Sequence, residues 1–313
     1  MDVLQLLFNA VTVIFVAATM FAAGLGATLP ALRAVFGHLW LLVLVLLANL
    51  AAVPLLGWGI AALFGLPTAS FIALLLIASS PGGPFGAKLG MVQNGDVAAG
   101  AAMQVLLAAV GSITFGPTAN LLLQAANAGG GVVLDVPTLI LTVAVLQLVP
   151  FAVGLIVRHY APPTALSWHP AAATTSNVTF LIVLAGMLLG NWRDVITLIG
   201  SGSLLAGFVF SGLTFALGTA LATGPRTRRT TMGGVAAVRN AGPALAAAGI
   251  AFGNQPAILG ALAAVLLSGL AAAIPIAAML SRRRAAPPHE SDHLPGPHTA
   301  GADRADGPRD KET

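Results

Sequence analysis

The stretch Val235-Ala-Ala-Val-Arg-Asn-Ala-Gly-Pro243 places Arg239 and Asn240 inside a long apolar segment and then interrupts its helix. Pro243 lacks an amide donor and clashes with the preceding turn, and Gly242 lets the backbone leave helical angles, so backbone groups are freed. Free backbone groups at membrane depth are tolerated only where protein buries them or a wet cavity surrounds them. An arginine at a helix centre adds about 2.5–3.5 kcal/mol to the cost of insertion. Two such costs at one place predict a functional site.

The composition is that of an integral membrane protein. Of 313 residues, 57% are hydrophobic and 8% are charged, whereas a soluble domain carries about 25% charged residues. The chain has no cysteine, which excludes disulfides and thiolate metal sites, and we predict neither a metal site nor a cofactor. The net charge of +4 comes from basic residues at the ends of apolar runs, so the lipid bilayer is the expected partner and nucleic acid is not.

Nine apolar runs are long enough to predict nine membrane-spanning helices, since a span needs about 20 residues. They lie at residues 3–29, 38–64, 69–91, 96–125, 136–158, 171–190, 195–223, 231–252 and 256–281. The connections after odd-numbered spans hold nine Lys or Arg residues, against one, Arg193, after even-numbered spans. This asymmetry predicts a multi-pass protein of the cell membrane with its N-terminus outside and its C-terminus in the cytoplasm.

A second break lies in the third span, at Ser79-Ser-Pro-Gly-Gly-Pro-Phe-Gly86. Spans three and eight run in opposite directions and stand five apart, as an inverted-topology repeat requires. Spans one to four then match spans six to nine, which predicts one repeat at residues 1–127 and a second at residues 135–284. Together they form a transmembrane transporter domain of residues 1–284. Residues 285–313 are polar and predict a disordered cytoplasmic tail.

The candidate substrate or ion site gathers polar and helix-breaking residues around the two breaks. Helix ends at matched breaks present amides to anions and carbonyls to cations. The candidates are Arg239, Asn240, Gly242, Asn49, Pro81, Gly82, Gly83, Gln104, Thr114 and Asn177. Two interpretations of Arg239 stay open: it draws an anionic substrate, or it only bonds the freed carbonyls. We interpret Lys88 as an anchor at the cytoplasmic membrane surface.

Six stretches, taken in order, resemble the bile acid:sodium symporter family. They are Phe21-Ala-Ala-Gly-Leu-Gly-Ala-Thr-Leu29, Asn49-Leu-Ala-Ala-Val-Pro54, Phe64-Gly-Leu-Pro67, Ser80-Pro-Gly-Gly83, Asn94-Gly-Asp-Val-Ala98 and Arg239-Asn-Ala-Gly242. The resemblance extends over about residues 10–281. It implies an inverted repeat of five plus five helices, divided between a panel and a core domain. Two broken helices are then expected to cross in the core, with organic anions bound between the domains.

The resemblance also implies sodium coupling through oxygen ligands, and this chain lacks most of them. The family's ligand positions carry Val235, Arg239, Gly86, Ala87, Gly100 and Gln104 here, and only Asn49 supplies a shorter amide in place of a glutamine. A fixed guanidinium at 4 Å would repel sodium by about 4 kcal/mol at an effective dielectric constant of about 20. We therefore predict a secondary transporter of a small organic anion that is independent of sodium, with Arg239 replacing the bound cation.

Three other functions remain as alternatives. The first is a sodium-coupled symporter whose ion sites are rebuilt from backbone carbonyls with Asn49 and Gln104. The second is a membrane sensor that binds an anion without transporting it. The third, an enzyme, is disfavoured because the interiors of the predicted spans contain no His, Asp, Glu or Cys to act as nucleophile, base or metal ligand.

Overall fold

The computed structural model describes residues 3–83, 85–128 and 133–285, and within these ranges the chain is helical and contains no strand. The helices are α1 (Val3–Gly26), α2 (Leu29–Phe36), α3 (Leu39–Leu47), α4 (Val53–Leu63), α5 (Thr68–Ala78), α6 (Phe85–Val92), α7 (Val97–Ala125), α8 (Val136–Tyr160), α9 (Pro162–Gly190), α10 (Trp192–Thr197), α11 (Ser203–Leu221), α12 (Arg226–Ala237), α13 (Ala241–Phe252) and α14 (Pro256–Ala285). Except for Ala285, the predicted tail of residues 285–313 lies outside the described residues.

Eight helical segments of the described chain are long and apolar enough to cross a membrane. The pair α3–α4 counts as one of them, because a π-helical turn at Ala48–Ala52 joins the two helices, and α12–α13 also counts as one. The outer face of α8 exposes Leu141, Val149 and Ile156, which are side chains suited to contact with lipid. The prediction of an all-helical membrane protein is confirmed.

The third predicted span is not among these eight segments. Its residues form α5 and α6, which are too short to cross a bilayer singly and are separated by the break that the sequence predicts. Pro81 cannot continue α5, and Gly82 takes a left-handed conformation with φ of +78° that a side chain would disfavour. The turn at Gly82 lies directly against the backbone of α7 at Gln104 and Ala108.

The break between α12 and α13 lies earlier in the chain than the sequence predicts. The helix is interrupted at residues 238–240, and Pro243 lies in the first turn of α13 rather than at the break. A proline is tolerated there because the amides of a first turn have no intrahelical acceptor. The interruption therefore places Arg239 in non-helical backbone.

Each half of one broken segment packs against one half of the other. α5 contacts α13, and α6 contacts α12, so the two breaks meet between the pairs. α14 packs along α5, α11 and α9, and α11 packs along α12. A second group forms where α1 packs along both α8 and α9, and α8 also packs along α7. α13 contacts α8 and α1 of this group, so the second break lies next to it.

Candidate substrate and ion site

The carboxyl-terminal end of α5 presents backbone carbonyls without their usual helical donors. The α-helical donors to the Ile77 and Ala78 carbonyls would be the amides of residues 81 and 82. Pro81 has no N–H, and the left-handed backbone at Gly82 turns the next amide away from the helix. The amide of Ser80 still donates to the Ile77 carbonyl at 3.0 Å. These carbonyls also form the negative end of the α5 dipole, so the position favours a cation.

The Asn49 carbonyl lacks an intrahelical donor for a different reason. In the π-helical turn the amide of Val53 donates to the carbonyl of Ala48, and the next residue, Pro54, has no amide hydrogen. The Asn49 carbonyl therefore has no donor from its own helix. The Asn49 side chain is buried, and its Nδ2 donates to the Val45 carbonyl at 2.9 Å, which leaves Oδ1 as an acceptor.

Arg239 joins these two sets of acceptors. Its Nη1 donates to Asn49 Oδ1 at 2.7 Å, and its Nη2 donates to the Asn49 carbonyl at 3.1 Å and to the Ala78 carbonyl at 2.7 Å. Its Nε donates to the Ile77 carbonyl at 3.4 Å. The side chain is only 4% exposed. Four of its five N–H donors are thus bonded to neutral oxygens, and no carboxylate pairs with it among the described residues.

Asn240 and Ser80 fasten the two breaks together. The Asn240 amide donates to the Ser80 carbonyl at 2.9 Å, and Ser80 Oγ donates to the Asn240 carbonyl at 2.6 Å. Asn240 Oδ1 accepts from the Gly242 amide at 3.0 Å and so caps α13. Its Nδ2 donates to Gln147 Oε1 at 2.7 Å, which connects the breaks to α8. Every polar group of this asparagine therefore has a partner.

The structure brings most of the predicted site residues to this place. A side chain at Gly83 would overlap the carbonyl oxygen of Arg239, so the two breaks are in van der Waals contact there. Gln104 is buried and lines a small cavity together with Gln147. Two candidates are not bonded to this cluster: the Thr114 hydroxyl donates to the Val110 carbonyl within α7 at 3.1 Å, and Asn177 contacts Lys88.

Asn177 takes part in a contact that the sequence does not predict. Its Oδ1 accepts a hydrogen bond from Lys88 Nζ at 2.5 Å, which joins α9 to α6. Lys88 lies in the middle of α6, next to the break, and Asn177 lies in the middle of α9. The structure thus gives Lys88 an interhelical partner where the sequence suggested only a surface anchor.

Sequence reasoning missed Ser80 and the carbonyls of Ile77 and Ala78 as members of the site. Backbone oxygens carry no signal in the residue type, although Pro81 and Gly82 mark the helix end at which the Ile77 and Ala78 carbonyls lose their α-helical donors. Ser80 immediately precedes the Pro-Gly-Gly run, and a short hydroxyl at a helix end is suited to bonding the backbone.

Cavities of unequal size lie at the breaks and beyond them along the bundle. A cavity of about 30 Å³ lies at Arg239 and is lined by the rings of Phe15, Phe85, Phe180 and Phe210. Two larger crevices lie toward the turn between α13 and α14: one of about 360 Å³ reaches Gly242 between α1, α8 and α13, and one of about 690 Å³ lies between α1, α9 and α14. A crevice of about 170 Å³ lies at the opposite end, between α2 and the first turns of α7 and α12. The space is therefore narrow at the breaks and wider toward the α13–α14 turn than toward the opposite end.

Comparison with known proteins identifies one family. The model of the Sodium Bile acid symporter family matches residues 13–218 of the chain. The match includes Asn49 and the break between α5 and α6, and it ends before Arg239. No curated protein matches the chain.

Proposed function

Because the chain belongs to the Sodium Bile acid symporter family, we propose that it is a secondary transporter that moves a small organic anion across the cell membrane by alternating access and independently of sodium. The family supports a membrane transporter of organic anions. The observation that carries sodium independence is the buried Arg239 guanidinium, which is bonded to the oxygens freed by the helix break and the π-helical turn.

Arg239 takes the place of a bound cation in this proposal. Sodium is a hard cation and needs oxygen ligands, and Asn49 Oδ1, the Asn49 carbonyl and the Ala78 carbonyl are oxygens of that kind. All three already accept hydrogen bonds from the guanidinium. A repulsion of about 4 kcal/mol at 4 Å would also weaken sodium binding about a thousandfold. The fixed cation therefore stabilises the meeting point of the breaks and competes with sodium.

The architecture proposed for this function has nine spans, with α5 and α6 counted together as the third. The group of α1, α8 and α9 would form the panel domain, and the other spans would form the core, with inverted repeats at residues 1–127 and 135–284. The pairing of α5 with α13 and of α6 with α12 supports the repeat, because two broken helices of opposite direction pair in this way. The distribution of basic residues supports an outside N-terminus and a cytoplasmic C-terminus.

Alternating access is supported by the asymmetry of the crevices. The two large crevices share Gln5 and Asn254, and both lie toward the α13–α14 turn. The Lys88–Asn177 bond joins α6 to α9 on the other side of the breaks. With the proposed orientation, this asymmetry supports an outward-open form, in which an anion from outside would reach the amino-terminal end of α13 through the crevice that contains Gly242.

A sodium-coupled symporter is the second candidate, and one observation favours it. Ser79 Oγ is buried beside Ala78 and has no hydrogen-bond partner among the described residues. A buried hydroxyl without a partner costs about 1–3 kcal/mol, and a bound cation would satisfy its oxygen. This candidate requires that a cation bind close to Arg239 despite the electrostatic repulsion.

Uptake into proteoliposomes separates the two candidates. Purified protein is reconstituted, and uptake of labelled benzoate, phenylacetate and cholate is measured with an inward gradient of sodium chloride or of choline chloride. We expect the same initial rate in both salts, since Arg239 holds the oxygens that sodium would need. A strict requirement for sodium would refute sodium independence. Binding of these anions without counterflow exchange would instead indicate a sensor, and protein-free liposomes give the background.

A further inference from the structure

Lys88 is a second cation near the breaks, and it takes no part in the hydrogen bonds that Arg239 and Asn240 make there. It lies one turn into α6 and is only partly exposed. Its Nζ donates to the neutral oxygen of Asn177 at 2.5 Å, and no carboxylate pairs with it among the described residues. A charged residue at membrane depth is costly and marks a functional site by default. An ammonium group has three donors, so one amide oxygen leaves it able to bind an anion.

The surroundings of Lys88 are suited to an anion with an apolar body. The ammonium lies 4.6 Å from the centre of the Phe85 ring. The rings of Phe85 and Phe180 are 5.1 Å apart, and those of Phe180 and Phe15 are 5.3 Å apart. These three rings belong to the wall of the cavity at Arg239. Lys88 is therefore linked to the wall of that apolar cavity through the Phe85 ring, and to α9 through Asn177.

Arg239 is less able than Lys88 to bind a substrate. Four of its five N–H donors are bonded to the backbone and to Asn49, so an incoming anion would have to displace bonds that hold the breaks together. At Lys88 an incoming anion displaces a single neutral acceptor. A charge-assisted bond to an anion is stronger than a bond to an amide oxygen, so the exchange at Lys88 is favourable.

We propose that Lys88 binds the anionic group of the transported substrate, and that this group replaces Asn177 as its partner. The inference rests on the proposed transport of an organic anion. Substrate binding then breaks the polar contact between α6 and α9, which belong to the two groups that must move relative to each other. Release of the Lys88–Asn177 bond would couple the presence of substrate to that movement.

The test compares three variants with the wild-type protein in the same proteoliposomes. Lys88→Gln removes the charge but keeps a donor for Asn177. Asn177→Leu removes the bond but keeps the cation. Arg226→Gln removes an exposed charge at the start of α12 and serves as the control. Uptake of labelled benzoate, phenylacetate and cholate is measured over a range of concentrations, with thermal unfolding of each variant as the check on folding.

We expect Lys88→Gln to raise the half-saturating concentration about tenfold or more, because loss of a hydrogen bond to a charged group weakens binding by about tenfold or more. We expect Asn177→Leu to lower this concentration, because the acceptor that competes with the substrate for Lys88 is gone. Unchanged half-saturation in Lys88→Gln, or an equal rise in Asn177→Leu, would overturn the inference while leaving transport intact. Failure of the wild-type protein to take up any of the three anions would refute the proposed function itself.

Discussion

Replacement of Arg239 by methionine tests whether the guanidinium holds the two breaks together. Arg239→Met leaves three buried acceptors without their donor: Asn49 Oδ1, the Asn49 carbonyl and the Ala78 carbonyl. The Ile77 carbonyl keeps its bond from the Ser80 amide. Each unsatisfied acceptor costs about 1–3 kcal/mol, so three acceptors at about 2 kcal/mol each cost about 6 kcal/mol. Removing a buried charge recovers about 3 kcal/mol, so we expect a net loss of about 3 kcal/mol.

The assay is thermal unfolding of the purified protein in detergent. With an unfolding entropy of about 2.1 cal/mol/K per residue over about 284 residues, a loss of about 3 kcal/mol corresponds to a fall of about 5 °C in Tm. Arg226→Met removes an exposed arginine outside the breaks and is the control. We expect its Tm to equal that of the wild-type protein.

A second variant, Arg239→Gln, tests whether the guanidinium stands where a sodium ion could bind. The amide is neutral and shorter, so the oxygens of Asn49 and Ala78 become available to a cation. We expect sodium chloride, compared with choline chloride, to raise the Tm of Arg239→Gln and not that of the wild-type protein, because a ligand stabilises the state that binds it. The reasoning is refuted if Arg239→Met unfolds at the wild-type temperature, or if sodium stabilises the wild-type protein and Arg239→Gln equally.

Two further predictions address the contact between the breaks and the opening of the crevice. Gly83→Ala places a methyl group against the carbonyl oxygen of Arg239, and we expect thermal unfolding to show a loss of stability of about 1–3 kcal/mol or more. The control, Gly59→Ala, has open space at its Cβ and is expected to be neutral or stabilising. Equal effects of the two substitutions would contradict the close contact at Gly83. Asn254 Nδ2 donates to Asn9 Oδ1 at 3.2 Å between the two large crevices, and the chain has no cysteine of its own. Cysteines at both positions, joined by a bifunctional thiosulfonate reagent, are expected to block uptake until a reductant is added, and full uptake by the cross-linked protein would exclude movement at this end.

Membrane class, family and the first break could be predicted from local features of the sequence. Long apolar runs determine helices of spanning length because the bilayer core leaves backbone groups no other partner. The break at Pro81 and Gly82 follows from a missing amide hydrogen and a left-handed turn, which are properties of the two residues themselves. The sequence predicts the second break too far along the chain, because Pro243 does not interrupt the helix and is tolerated in the first turn of α13.

The sequence by itself determined that a positive charge would lie beside an interrupted helix in the membrane, because Arg239 and its apolar flanks are neighbours in the chain. It left open whether that charge would bond the backbone or an anion. Only the tertiary structure decided where its donors go, since Asn49 and Ala78 are remote in sequence and become its acceptors when two proline-freed turns are packed against it. The same packing decided the partner of Lys88, because Asn177 reaches it only when α6 and α9 face each other. Hydrogen-bond partners are set by distances of about 3 Å between atoms, and such distances exist only in the folded chain.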